Sequence, residues 1–323
     1  MFVENLPTKK GEFVEETFIV NKRSPRISAK ESVKVKDREK SKLDWDDRLT
    51  IEINGDAPVC ESIRVEAAAP ATPTIFLCGN STVVDQENEP WASWGQMLPR
   101  FLTDKISVAN HAESGLSANT FISGNRLKKI MSQIKKGDYV FVEFGHNDQK
   151  QKGPGKGAYY SFMTSLKTFI DQIQEKGGQP VLVTPTRRRR FDKEGRTVNT
   201  HGEYPDAVRW IAAKENVPLI ELNNMTGTLY EALGESGSKK AFVHYPMGSF
   251  PGQKKELADN THFNPYGAYQ IAKCVIEGMK KATPELTKYL KTDTSYDPAK
   301  PDNVDSFHWC PAPFCEMEKP DGN

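Results

Sequence analysis

The sequence predicts an α/β protein: a parallel sheet with helices on both faces, preceded by a smaller antiparallel β segment. Three observations carry this. From residue 74 onward, short apolar runs alternate with stretches amphipathic at helical spacing, the pattern of βαβ units in a sheet covered on both faces. Ahead of them, EFVEETFIV, RLTIEI and VCESIRVEA alternate with period two, as antiparallel strands with one wet face do. Between the two regimes AAAPATP, residues 67–73, reads as a linker.

Taken in order, residues 1–70 form the β-rich segment, about four strands joined by charged connections such as KVKDREKSKLDWDD. The α/β region spans 74–292. Its apolar runs are TIFLCG, ISVAN, DYVFVEF, PVLVT and VPLIEL, and each predicts a buried strand. SWGQMLPRFL, ANTFISGNRLKKIMSQI, YYSFMTSLKTFIDQIQEK, YPDAVRWIAAKEN and PYGAYQIAKCVIEGMKK are the helix candidates. Residues 293–323 are rich in Pro and Asp and predict an extended strap, with Phe307, Trp309 and Phe314 available to bury.

Composition excludes several classes. A net charge of +1 over 323 residues argues against a protein built around nucleic-acid binding. No run reaches the ~18 apolar residues of a membrane span. MFVENLPTKKGEF has no apolar h-region, so no signal peptide is visible. The five cysteines match no zinc or C-x-x-C spacing. Cys78 and Cys274 read as small buried residues, while CPAPFC leaves Cys310 and Cys315 able to close a small disulfide loop under oxidising conditions.

In parallel sheets ligands bind at the carboxyl ends of the strands, so the residues after each apolar run matter most. These are Gly79-Asn80-Ser81, Asn110 with Glu113-Ser114-Gly115, Gly145-His146-Asn147-Asp148 and, before the last helix, Asp259-Asn260-Thr261-His262. A serine hydroxyl needs a base to become a nucleophile. A neutral imidazole can be that base, and a carboxylate fixes its tautomer. Asp259 and His262, three apart, can meet in a loop or a first helical turn. The backbone N–H groups of Ser81 and Gly115 and the amide of Asn147 can face an oxyanion. Singly, each piece reads as readily as a turn or a helix cap; together, in this order, they point to acyl transfer.

The ordered blocks Gly-x-Ser-Thr-Val, Asn…Ser-Gly, Gly-x-Asn-Asp and Asp-x-x-His resemble the SGNH (GDSL-like) hydrolases. The longer matches GNSTVVD, GHNDQK and DNTHFNPYGA resemble the rhamnogalacturonan acetylesterase group of that superfamily. The resemblance covers roughly 74–290. It implies a flavodoxin-like three-layer α/β/α fold, no metal or cofactor, a secreted or periplasmic setting, and removal of acetyl esters from a polysaccharide. It places the nucleophile on Ser81, the acid and base on Asp259 and His262, and the oxyanion donors on Ser81, Gly115 and Asn147. It makes residues 1–70 similar to the end of a galactose-binding-like β-sandwich. The departure is Asn80, where the family has Asp. That residue supports the turn rather than completing the triad, and Asn keeps one acceptor oxygen while adding a donor.

Around this set, His146 reads either as a pocket residue or as a packed ring. Trp91 and Trp94 read as core or rim packing, or as stacking platforms for sugar. Arg187, Arg188, Arg189 and Arg190 form a charge run, a solvated loop or, with Lys150 and Lys152, a site for an acidic glycan. The expected function is serine-dependent deacetylation of a plant cell-wall polysaccharide, most directly acetylated rhamnogalacturonan. The rival expectations are a lipase, thioesterase or xylan acetylesterase on the same scaffold, and a non-catalytic glycan-binding protein.

Overall fold

The computed structural model describes residues 6–43, 45–46, 48–55, 57–292 and 294–309. Strands β1 (Thr74–Cys78), β2 (Ser107–Asn110), β3 (Tyr139–Glu143), β4 (Gln179–Val183) and β5 (Leu219–Ile220) form one parallel sheet in the order β2-β1-β3-β4-β5. Leu77 of β1 lies between Asn110 and Phe141. The chain order therefore reverses at β1, and the carboxyl end of β1 sits at the topological switch point, where open α/β sheets bind ligands.

Alternation along the strands divides the core in two. Ile75, Leu77, Phe141, Val181 and Val183 face one layer, and Phe76, Cys78, Val140, Val142 and Leu182 face the other. The first layer is α1 (Trp94–Met97), α6 (Leu222–Gly237) and α7 (Pro265–Ala282). The second is α2 (Ala118–Ser123), α3 (Arg126–Met131), α4 (Met163–Glu175) and α5 (Tyr204–Lys214). In α4, Leu166, Phe169, Ile170 and Ile173 recur at helical spacing and are buried; each such side chain contributes about 1.5–3 kcal/mol by leaving water. In α7, Pro265 occupies the first turn and the Asn264 side chain caps it by accepting from Gly267 N–H at 3.0 Å. Among the described residues, no helix is long and apolar enough to cross a membrane.

The three-layer α/β/α expectation holds, but the small antiparallel sheet does not lie in the N-terminal segment. It is formed by β6 (Phe242–Tyr245) and β7 (Leu257–Phe263), late in the chain. Among the described residues before β1 there is no strand, only an isolated bridge between Arg26 and Ser32. The three alternating stretches expected to end a β-sandwich, residues 12–20, 48–53 and 59–67, lie outside any strand. Phe13, Ile51, Ile53, Val59 and Val65 are exposed, because no described strand lies beside them to satisfy their backbone or cover their apolar face. Residues 23–43 and Trp45 dock through charged groups, with Val33 and Trp45 buried beside them. Arg23 pairs with Asp85 at 3.2 Å, Glu39 pairs with Arg126 in a buried contact, and the Trp45 ring lies under both guanidiniums at 5.2 Å. This segment is a strap across the second layer.

Beyond α7, residues 294–309 run along that helix. Tyr266 Oη donates to Asp302 O at 2.6 Å, Lys273 pairs with Asp302 at 2.8 Å, and Phe307 packs on Tyr266 and Tyr269. Phe314 and the Cys310–Cys315 pair lie outside the described residues.

Candidate active site

β1 ends in a turn whose sharpness depends on Gly79. A Cβ there would stand 2.4 Å from Val83 Cγ2 and 3.2 Å from the Glu143 carbonyl, so a larger residue would push the turn off the sheet. The turn lifts Ser81 to the sheet edge, where Ser81 Oγ lies 2.8 Å from His262 Nε2. His262 Nδ1 lies 2.7 Å from Asp259 Oδ2. Asp259 Oδ1 also accepts the N–H groups of Thr261 and His262 at 2.7 and 3.0 Å. Burial works to raise the Asp259 carboxyl, but the bond and charge of His262 with those two N–H donors outweigh it and hold it at about 2.

Sequence reasoning put Asp259 and His262 in a loop or a first helical turn; they lie within β7. An undistorted strand would send residues three apart to opposite faces. Here the ladder is broken: the step from Phe242 to His244 on β6 faces the step from Phe263 to Ala258 on β7. The intervening residues 259–262 bulge out and curl, so both side chains meet. Phe263, at the end of the bulge, is bound to Ala92 N–H at 2.8 Å. That contact sets the dyad against the nucleophile turn.

The β2 exit loop supplies the opposite wall. Glu113 N–H donates to Gly79 O at 3.3 Å, which lays this loop along the nucleophile turn. Gly115 has φ +79°, a left-handed conformation that glycine adopts without strain. Neither Ser81 N–H nor Gly115 N–H donates a hydrogen bond within the described residues. Asn147 Nδ2 donates to Leu116 O at 2.9 Å, which pins the amide to the same loop; its second N–H stays available, since an amide carries two. A serine hydroxyl within hydrogen-bond reach of an imidazole that is itself paired with a carboxylate is an arrangement able to carry out acyl transfer. Among the described residues no three His, Cys, Asp or Glu side chains form a group able to hold a metal ion.

Residues 77–269 match the GDSL-like lipase/acylhydrolase family. The chain belongs to this family. It is similar to the rhamnogalacturonan acetylesterase RhgT of Bacillus subtilis strain 168, with 42% identity over 218 residues, covering 67% of this chain and 93% of that protein. It is also similar to the probable rhamnogalacturonan acetylesterase YesY of the same strain, 33% identical over 221 residues, covering 67% of this chain and 96% of YesY. The crystal structure of YxiM from Bacillus subtilis superposes with a TM-score of 0.57 at 27% identity, over 65% of this chain and 57% of YxiM.

Within this GDSL-like acylhydrolase, Asn80 is fully buried, and its Oδ1 accepts from Thr82 N and Thr82 Oγ1, both at 3.2 Å. It braces the turn as an acceptor. Its added donor, Nδ2, finds no acceptor among the described residues. Thr82 Oγ1 also lies 3.0 Å from Glu143 Oε1. Glu143 is fully buried beneath the turn, where it accepts from Trp94 Nε1 and, at 3.2 Å, from Thr186 N–H. Burial raises its carboxyl to about 7 against those three donors. Sequence reasoning passed over Glu143; the signal was a lone charge inside the apolar run DYVFVEF.

The expectations for Trp94 and for the arginine run are corrected. Trp94 is not a sugar platform: it is 1% exposed, with its N–H spent on Glu143. Within the arginine run Arg190 is exposed, but Arg187, Arg188 and Arg189 are turned into the protein. Arg187 packs on Gly227 and donates to Thr197 O at 3.0 Å and Thr197 Oγ1 at 2.6 Å, so its fork is spent inside the protein. Arg188 is half-buried and donates to Thr200 and to His146 O at 3.3 Å, and with the Gln149 amide turned to suit its neighbours both Nη atoms donate to the Gln149 side-chain oxygen at 2.6 and 2.7 Å. Arg189, buried, serves the site indirectly: its N–H donates to Asn260 O at 2.8 Å and its Nη1 to Asn260 Oδ1 at 3.0 Å, bracing the β7 bulge.

His146 is a packed ring, 3% exposed, bonded to Thr186 Oγ1 and His201 Nε2, each at 3.1 Å. Burial first, then the neighbouring His201 and Arg188, lower its pKa well below the usual imidazole range. Lys150, exposed, reaches Asn147 Oδ1 at 2.9 Å, and Lys152 is exposed.

Proposed function

We propose that this enzyme removes acetyl groups from acetylated rhamnogalacturonan through an acetyl-serine intermediate on Ser81. The observation that carries the mechanism is the continuous chain from Ser81 Oγ through His262 to Asp259, at 2.8 and 2.7 Å. The carbohydrate acetylesterase class rests on membership of the GDSL-like family and on 42% identity with RhgT.

Ser81 Oγ attacks the acetyl carbonyl carbon while His262 Nε2 takes the hydroxyl proton. Asp259, ionised down to about pH 2, holds the ring tautomer and stabilises the imidazolium. The oxyanion is met by Ser81 N–H, Gly115 N–H and the Asn147 amide. Collapse expels the sugar oxygen, which takes the proton back from His262. Water, deprotonated by the same nitrogen, then cleaves the acetyl-enzyme and releases acetate. The acidic polymer is supported by the cation beside the amide donor, Lys150 on Asn147.

The test compares acetate release from acetylated rhamnogalacturonan and acetylated xylan, with Ser81→Ala beside the wild type. Preference for the rhamnogalacturonan and loss of release in the variant are expected. Equal turnover of the two polymers removes the substrate assignment, and an active Ser81→Ala removes the mechanism. A series of acyl chain lengths should fall steeply beyond acetyl; a lipase would rise.

A further inference from the structure

Residues 36–42 of the strap lie outside the stretch matched by the family, yet they grip the candidate oxyanion loop. Lys36 Nζ donates to Ser114 O at 2.6 Å, and Arg38 Nη2 donates to the same carbonyl. Arg38 is itself fixed by Glu113 Oε1, at 3.0 Å from Nε and 2.7 Å from Nη2, and Lys42 Nζ stands 3.5 Å from Glu113 Oε2. The Glu113 side chain is 1% exposed, so this anchor is built into the interior. A Cβ on Gly115 would stand 3.5 Å from Lys36 Nζ and 3.8 Å from Arg38 Nη2.

A trans peptide is planar, with its C=O and N–H pointing in opposite directions. The Ser114 carbonyl is held toward the strap, so the Gly115 N–H is held away from it, and it donates to no described residue. Glycine at φ +79° tolerates rotation of this peptide more readily than any other residue. A flip would bring a carbonyl oxygen where an N–H is needed and turn an attraction for the oxyanion into a repulsion. Two cationic donors on one carbonyl oppose that flip, and by polarising the peptide they strengthen the N–H as a donor.

We propose that Lys36 and Arg38 are positioning residues for the deacetylation, clamping the Ser114–Gly115 peptide with its N–H toward the oxyanion. The proposal rests on the assignment of Ser81 as nucleophile and Gly115 N–H as oxyanion donor. It gives the N-terminal strap a part in catalysis without any contact with substrate.

The test uses the full chain and 4-nitrophenyl acetate, a small neutral ester on which substrate charge has no bearing. Lys36→Met is the first variant, because the direct ion pairs of Glu113 are with Arg38 and Lys42, and both remain in it. Its kcat is expected to fall roughly 10-fold, and that of Lys36→Met/Arg38→Met roughly 10²–10³-fold, the range for loss of one oxyanion donor. KM should stay within about twofold, since the interaction is made in the transition state. Lys36→Arg should restore most of the rate. Phosphonylation of Ser81 by an organophosphonate, whose adduct places an oxygen in the same hole, should slow in parallel. An unchanged kcat in the double variant overturns the proposal, as does a raised KM with kcat intact, which would make the cations substrate contacts. If the double variant does not fold, the kcat of Lys36→Met decides alone. Ser81→Ala run alongside separates the two claims: wild-type turnover in that variant defeats the nucleophile assignment itself, whatever the strap does.

Discussion

Replacing Glu143 by Gln removes a carboxyl buried beneath the Ser81 turn and keeps its shape. Its ordinary value of 4.5 is raised to about 7 by burial. At 1.36 kcal/mol per pH unit, that difference corresponds to about 3 kcal/mol. The folded protein keeps the proton where the unfolded chain has released it. The Glu143 contribution to stability is therefore full below pH 4.5, declines at up to about 1.4 kcal/mol per pH unit as pH rises toward 7, and is constant above. Asp148, raised to about 6 by burial, acts in the same direction, and His201, held at about 3 by burial and by Arg188, acts in the opposite one. Both are present in wild type and variant and cancel in the difference. Urea unfolding of the two proteins from pH 5 to pH 8 should show the wild type losing about 2–3 kcal/mol relative to Glu143→Gln. Parallel stability curves would refute the reasoning, because they would mean that Glu143 titrates alike folded and unfolded.

Four further outcomes are expected. Asp259→Asn leaves the ring without its anionic partner and should lower kcat by about 10³–10⁴-fold with little change in KM, measured on a small acetyl ester. Asn147→Ala should cost about 10²–10³-fold in kcat, again with KM nearly constant; a rise in KM alone would assign the amide to ground-state binding. Trp94→Phe keeps the ring in the core but strips Glu143 of its indole donor, so thermal unfolding should register a loss of about 1–3 kcal/mol. Arg189→Met removes the guanidinium bond to Asn260 Oδ1, leaving Asn260 held by the residue-189 N–H and by His244, and should loosen the β7 bulge, seen as faster amide exchange at 259–262 and a fall of about tenfold in kcat.

The sheet was legible because its strands are buried on both sides. TIFLC coincides with Thr74–Cys78, DYVFVEF, ISVAN and VPLIEL each contain their strand, and PVLVT covers all of β4 but its first residue, Gln179. Helix lengths were less so. Pro99 turns the SWGQMLPRFL candidate into a short helix followed by a 3-10 turn, and Asn125, at φ 62°, divides the ANTFISGNRLKKIMSQI candidate into α2 and α3. α6 was missed: its first turns, LNNMTGT, are poor in strong helix formers, and the packing of Leu222, Leu229 and Tyr230 supplies what propensity does not. The site residues were readable as types at strand ends, but not the bulge that joins Asp259 to His262. The period-two pattern before residue 70 misled because alternation reports a face to be covered, not the presence of a neighbour to cover it. The strap's attachment runs through single ionic residues far from their partners in sequence, such as Arg23 with Asp85, 62 positions apart, and Glu39 with Arg126, 87 apart, and no local pattern encodes that.

The β7 bulge has a consequence for how such a site can vary. Residues 259–262 carry Asp259, His262 and the N–H groups that hold the carboxylate, so the pair is a self-contained cassette. Its seat beside Ser81 is fixed from outside, by the backbone bond between Phe263 and Ala92 and by Arg189 on Asn260. The hairpin tip at 246–256 takes part in neither. Loop length there is free to drift, lengthen or receive a graft with the proton relay left intact, while a shift of one residue at Ala92 would move the whole cassette out of reach of its serine.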